Sequence, residues 1–381
     1  VYRKMIVLIA AAAFVALATS ARAFETRAEF AVLMDAETGT VFYEKNADRL
    51  MAPASMSKLM TIAVLFEKIK NGQLTLDDTF PVSEKAWRMG GSKMWVEVGT
   101  DVRIEDLIRG IVVQSGNDAC IVVAEGISGS EDAFALEMTR FGREVVGLEK
   151  STFANSTGWP HPDQLMTARE LAILSRFIID RYPVLYKFYS ETEFEWSGIN
   201  QPNRNPLLYA NVGADGLKTG HTEESGYGLT ASAVQQGRRL ILVVNGLSSE
   251  SERSTESQRL LRMGFRDFLT YDLFEGGATV ADAKVWQGQQ SSVPLMIQDD
   301  LVAIMKPQAR KQMNVSVKYT GPVQAPVREG TEIAKLIVTA PDTPTIERPL
   351  FAAVDVPRQG LIGRVGSGLV QMVVRQFTPD E

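Results

Sequence analysis

Between Pro53 and Gly72 the chain places apolar residues at Leu59, Ile62, Ala63, Leu65, Phe66 and Ile69. That is the spacing of one helix face, and it predicts a helix reaching Lys70, stopped by Asn71-Gly72. Upstream, Phe30 to Met34 and Val41 to Tyr43 flank a turn-rich stretch from Asp35 to Thr40, the pattern of a β-hairpin. Asp77 to Ser83 reads as a short strand with its turn, and Trp87 to Ser92 as a Gly-containing loop able to line a cleft. Asp106 to Val113 is an apolar helix, broken at Ser115-Gly116-Asn117-Asp118 before a second apolar helix from Ala119 to Glu125. Ser130-Glu131-Asp132 caps a helix ending near Gly147, and Thr167 to Glu170 is a capping box for a helix reaching Asp180. Two strands, Tyr227 to Val234 and Leu240 to Val244, are joined at Gln236-Gly237 as a second hairpin, and Ser254 is the expected cap of a helix from Thr255 to Leu269.

The pattern changes near Gly276. Short alternating runs follow at 283–286, 293–296, 301–304, 315–319 and 333–338, separated by turn residues at fairly even spacing, as in a small all-β domain. From Gly360 to Phe377 the pattern changes again. Leu361, Val365, Leu369, Met372 and Val373 share one helical face and Arg364, Ser367, Gln371 and Arg375 the other, a basic amphipathic helix suited to a membrane interface. At the other end, Arg3 and Lys4 precede an apolar run from Met5 to Ala18 and the small-x-small triplet Ala21-Arg22-Ala23, the pattern of a secretory signal peptide cut after Ala23. The expected organisation is therefore a signal peptide (1–23), a domain of mixed helices and antiparallel strands (24–275), a small β-sandwich (276–357) and an amphipathic anchor (358–381).

The 381-residue chain carries a formal charge of −6, which loss of Arg3, Lys4 and Arg22 with the signal takes to −9. It has no basic stretch interleaved with aromatics, so nucleic acid is not an expected partner. One cysteine, Cys120, allows no internal disulfide and sits in an apolar run as a small hydrophobe. With only His161 and His221 besides, a Cys/His zinc site is not expected, and neither is any cofactor.

Ser55 falls at a cap or in the first turn of the helix behind Pro53, and Lys58 lies three positions on, sharing its face. A hydroxyl and an amine so placed are the parts of an activated nucleophile, provided burial or a neighbouring cation lowers the pKa of the amine. Ser115-Gly116-Asn117 stands at a helix break, where buried polar side chains need partners. Lys218-Thr219-Gly220 stands in a strand-like segment.

Together the three motifs, with Pro53-Ala54, Asp118-Ala119 and His221-Thr222 beside them, make the chain resemble the low-molecular-mass penicillin-binding proteins, the serine-type D-alanyl-D-alanine carboxypeptidases. The resemblance covers essentially the whole chain and implies a serine-peptidase/β-lactamase-like α/β (α+β) fold. It implies Ser55 as acyl-ester nucleophile, Lys58 as general base with Lys218 as its neighbouring cation, Ser115 as proton relay, and Asn117 as a holder of Lys58 and substrate. Lys218, Thr219 and Gly220 would lie on an edge strand to which the peptide adds, the glycine admitting the substrate backbone. The N–H groups of Ser55 and His221 would bind the oxyanion. Arg204 is a candidate for the terminal carboxylate, and Arg253 a further one. The substrate implied is a peptidoglycan stem peptide ending in D-Ala-D-Ala, with β-lactams as covalent inhibitors, at the periplasmic face of the bacterial inner membrane. A β-lactamase-like hydrolase, a D,D-endopeptidase and a non-catalytic envelope protein are the alternatives. Gly116 in the second motif and the lack of a Glu-x-x-x-Asn motif between the second and third set the chain apart from class A β-lactamases.

Overall fold

The computed structural model describes residues 24–360. The expected signal peptide lies outside them, as does all but the first residue of the expected amphipathic helix. The first unit is built on a five-stranded sheet. Its strands are β1 (Phe30–Asp35), β2 (Val41–Lys45), β3 (Ala214–Thr222), β4 (Gly226–Gln235) and β5 (Arg238–Leu247), in the order β2–β1–β5–β4–β3. Every neighbour is antiparallel. The hairpins expected at 30–43 and 227–244 are both present. Gln236 and Gly237 take φ of 51° and 80°, the left-handed pair that matches a two-residue turn to the strand twist.

β1 and β5 are the central strands, and their alternation feeds two cores. Val32, Met34, Ile241 and Val243 face the helical cluster, while Ala31, Leu33, Leu240, Leu242 and Val244 face the opposite side. The cluster consists of α1 (Lys58–Lys70), α2 (Ile104–Val112), α3 (Asn117–Ser128), α4 (Glu131–Phe141) and α5 (Ala168–Arg181). α6 (Glu250–Asp267) covers the second face with Leu260, Leu261 and Met263. α3 lies deepest: Asn117 to Ala124 are all buried. That explains its continuous apolar run, which has no exposed face to make polar.

Several expected boundaries move for identifiable reasons. Asn117 and Asp118 open α3 instead of lying in the break before it. α6 begins at Glu250, and its cap is Ser249, whose side chain accepts from Glu252 N at 3.1 Å; Ser254 lies inside the helix. Thr167 does cap α5, accepting from Glu170 N at 3.0 Å. Glu170 does not close the box, because its carboxylate accepts instead from Glu149 N, Lys150 N and Ser151 N.

The second unit has a six-stranded sheet ordered 314–319, 332–340, 343–352, 292–296, 279–286 and 323–324. A separate pair joins Leu269–Phe274 to Leu301–Met305. Strand 269–274 precedes the expected boundary at 275/276, yet its partner lies beyond it. Thr343–Ala352 escaped the period-two reading because Pro344, Pro349 and two charged residues interrupt it. The cap assignment makes a direct prediction: Ser249→Ala lowers the stability of the chain by about 1 kcal/mol in urea unfolding, whereas Ser254→Ala leaves it within error.

Candidate active site

Pro53 precedes a 3₁₀ turn, Ala54–Ser57, which runs into α1. Ala54 has φ +47°, a left-handed conformation uncommon for a residue with a Cβ, and it turns the chain sharply before Ser55. Ser55 caps nothing: neither the turn nor α1 has a side-chain cap, so the expected capping role falls away. The Ser55 hydroxyl instead accepts from Lys58 Nζ at 2.8 Å. One helical turn separates the two residues, which is why they meet.

Lys58 is fully buried. Its three donors are matched by three acceptors: Ser55 Oγ, Asn117 Oδ1 at 2.7 Å and the carbonyl of Thr157. Burial lowers its pKa to about 8, with Arg204 pushing the same way and Asp118 against it. The nearby Cys120 thiol is pushed up by burial to about 12 and stays neutral. The expectation that Lys218 supplies the neighbouring cation is corrected. Lys218 is itself buried, and its pKa is drawn well below that of a free lysine by burial, then by Lys58 and Arg204. The cation whose charge adds to the lowering at Lys58 is Arg204, which acts on Lys218 in the same direction.

Asn117 sits in the first turn of α3. Its Nδ2 donates to Gly90 O at 2.9 Å and its backbone N–H to Ser92 O at 2.8 Å, so the loop expected at 87–92 frames this side chain from above. Ser115 is buried in the break between α2 and α3 with φ +60°. Its hydroxyl has no protein hydrogen-bond partner among the described residues, which leaves it free for a ligand. Asp118, fully buried, accepts from the N–H groups of Met94, Trp95, Val96 and Ala119.

Sequence reasoning missed Thr157. It lies in a turn-rich stretch at 155–164, in which His161 is exposed beside Asp163. Asn155 Oδ1 accepts from Thr157 N, Thr157 Oγ1, Gly158 N and Trp159 N. Ser156 is held by Glu131, and its carbonyl accepts from Thr61 Oγ1 at 2.6 Å. These bonds aim the Thr157 carbonyl at Lys58. The clue available in sequence was Asn155 followed by Ser156-Thr157-Gly158, an Asx-turn signature.

Lys218, Thr219 and Gly220 lie in β3, the edge strand, as expected. Lys218 Nζ donates to Thr219 O at 3.0 Å. The role assigned to Gly220 changes. A Cβ there would stand 2.8 Å from Pro53 O and 3.2 Å from Met56 N, so the glycine admits the Ala54–Ser57 turn against the strand, not a substrate backbone. His221 is exposed, with its ring stacked on Tyr227 at 3.9 Å. Arg204 donates to Ser92 Oγ across the cleft. Arg253 is buried with its Nε unpartnered, and its nearest acid is the exposed Glu250 at 3.7 Å. Among the described residues no group of three or more His, Cys, Asp or Glu side chains is placed to hold a metal.

A serine hydroxyl bonded to a buried lysine of lowered pKa, beside an open sheet edge, is an arrangement suited to acyl transfer through the serine. Residues 17–249 match the peptidase S11 family of D-alanyl-D-alanine carboxypeptidases, and residues 268–358 match the C-terminal domain of penicillin-binding protein 5. The chain belongs to the peptidase S11 family. It is 36% identical over 342 residues to the D-alanyl-D-alanine carboxypeptidase DacC of Escherichia coli, covering 88% of this chain and 85% of that one. Penicillin-binding protein 5 of Haemophilus influenzae superposes with a TM-score of 0.77 at 34% identity, over 88% of this chain and 99% of that one. The carboxypeptidase DacD of Francisella tularensis gives 0.79 at 29% identity, over 88% and 95%.

The packing behind the Ala54–Ser57 turn is tight enough to test. A Cβ at Gly158 would meet Ala54 O at 2.0 Å and Ser57 Oγ at 2.6 Å, and φ is +78°. Gly158→Ala is expected to destabilise the fold by about 1–3 kcal/mol in urea. The same substitution is expected to slow covalent labelling by a penicillin about 10–100-fold, as the turn that carries Ser55 is displaced.

Proposed function

We propose that Ser55 is the nucleophile with which this D-alanyl-D-alanine carboxypeptidase cleaves the terminal peptide bond of peptidoglycan stem peptides. The observation that carries the assignment is the position of Lys58 Nζ between Ser55 Oγ, Asn117 Oδ1 and Thr157 O. When the amine is neutral, two of its N–H bonds remain on Asn117 and Thr157 and its lone pair faces the Ser55 hydroxyl. Lys58 takes the hydroxyl proton as Oγ bonds to the carbonyl carbon of the penultimate D-Ala. The N–H groups of Ser55 and His221 hold the oxyanion. Ser115 passes the proton to the leaving amine, and the terminal D-Ala departs as the C–N bond breaks. Water then hydrolyses the ester and restores Ser55. Thr219, Lys218 and Arg204 bind the terminal carboxylate, with Arg253 behind them, and Asn117 holds the substrate amide while keeping Lys58 in place. A β-lactam is opened by the same attack, but its amine stays tethered to the adduct and blocks water.

Ser55→Ala is expected to abolish both D-Ala release from a D-Ala-D-Ala pentapeptide and the covalent penicillin adduct; release that survives the substitution overturns the assignment. Rapid turnover of penicillin by the wild type would favour the β-lactamase reading, and cleavage of cross-linked muropeptides the endopeptidase reading. Because Lys58 must be neutral to act, the acylation rate is expected to rise with pH through about 8 and to fall about tenfold per unit well below it. A stopped-flow pH profile of penicillin acylation measures this.

We also propose that the chain is exported and held peripherally at the periplasmic face of the inner membrane by residues 360–377. No helix among the described residues is long and apolar enough to cross a membrane. The basic amphipathic pattern of that segment supports interfacial binding. Deletion of 360–381 is expected to yield an active enzyme that no longer sediments with membranes, and sedimentation of the truncated protein would defeat the anchor.

A further inference from the structure

Three of the five tryptophans stand around one segment at the rim of the cleft, and each is about half exposed: Trp87 at 42%, Trp95 at 51% and Trp159 at 48%. An indole left in water forfeits a large burial gain, so a cluster of them is informative where a single exposed apolar residue is not. Lys93 ties two of them together. Its ammonium donates to Trp87 O at 2.6 Å and lies 5.3 Å from the centre of the Trp95 ring. Trp95 adopts φ +72°, a conformation that bulky residues avoid, and its N–H is held by the buried Asp118. The chain thus accepts a strained backbone at this position to present the ring to solvent.

The segment that carries Trp87 and Trp95 also touches the catalytic site. The backbone of Gly90 and Ser92, in the same segment, accepts two hydrogen bonds from Asn117, and Ser92 Oγ accepts from Arg204. The main chain of a stem peptide is provided for by the open edge of β3. A stem of five residues spans at most about 17 Å, so the sugar to which it is attached lies within that reach of the cleft, where the rim segment stands. A pyranose has one face of C–H groups, which packs on an indole, and a margin of hydroxyl and acetamido oxygens, which accept from an ammonium. Trp87, Lys93 and Trp95 offer that combination.

We propose that Trp87, Lys93 and Trp95 form a subsite for the glycan that carries the stem peptide. The inference rests on the peptidoglycan reading given above. The test compares D-Ala release from a free pentapeptide with release from the same pentapeptide on an N-acetylglucosaminyl-N-acetylmuramic acid disaccharide. Trp95→Ala and Lys93→Ala are each expected to lower kcat/KM on the disaccharide substrate about 3–10-fold, through KM, and to leave the free pentapeptide unchanged. Trp95→Tyr is expected to restore most of the loss. Equal losses on both substrates would reassign the rim to the stem peptide or to folding, and no loss on either would remove the subsite; each overturns the proposal. A separate arm measures quenching of tryptophan fluorescence in Ser55→Ala by the peptide-free disaccharide, with Trp95→Ala as control. Saturable quenching that needs Trp95 supports the subsite, and its absence overturns it. Should the wild type process neither substrate, the carboxypeptidase reading fails while this arm still decides the glycan site.

Discussion

Burying a lysine ammonium costs several kcal/mol unless every donor finds an acceptor, and Lys58 meets that demand with an acceptor set drawn from three parts of the chain. Ser55 comes from its own helix, Asn117 from the start of the deepest helix, and Thr157 from a loop about a hundred residues away. Each supplier is fixed by a further group: Asn117 by Gly90 and Ser92, the Thr157 loop by Asn155, Glu131 and Thr61. The same burial that makes the amine expensive to charge brings its pKa near 8. Folding and reactivity are thus set by one requirement, that an amine be surrounded without being permanently ionised.

The motifs were readable because each couples a spacing to a local shape. Ser55 and Lys58 are one helical turn apart, and a polar triplet between two apolar helices needs partners whatever the fold. The central strands were readable from their runs of apolar residues. What stayed hidden depends on contacts distant in sequence. Thr157 acts through its main-chain carbonyl, so its side chain carries no trace of the role. The direction of a missing Cβ decided the role of Gly220, and no sequence pattern encodes which neighbour that direction meets. Ser249 and Ser254 are equally good caps by type, and tertiary packing of α6 selected the earlier one.

Lys218 shows how a correct position can carry a mistaken electrostatic role. Its place on the edge strand followed from the motif, but enclosure turns it from a source of positive charge into a second depressed amine, and Arg204 from a different loop takes over. Burial draws both enclosed amines below the ordinary lysine range, and the Arg204 guanidinium adds to the lowering at each.

β3 ends the sheet, and nothing in the described chain pairs with its outer edge. Sheet edges left open recruit stray strands, and most proteins blunt them. This one puts Lys218, an amine that cannot be comfortably charged alone, on that border. An extended segment from the middle of another protein could offer main-chain hydrogen bonds there, but it brings no terminal carboxylate to Lys218 and Arg204. A chain that ends at the edge supplies both, so the charges that suit a free peptide end also make this border less hospitable to an unrelated strand.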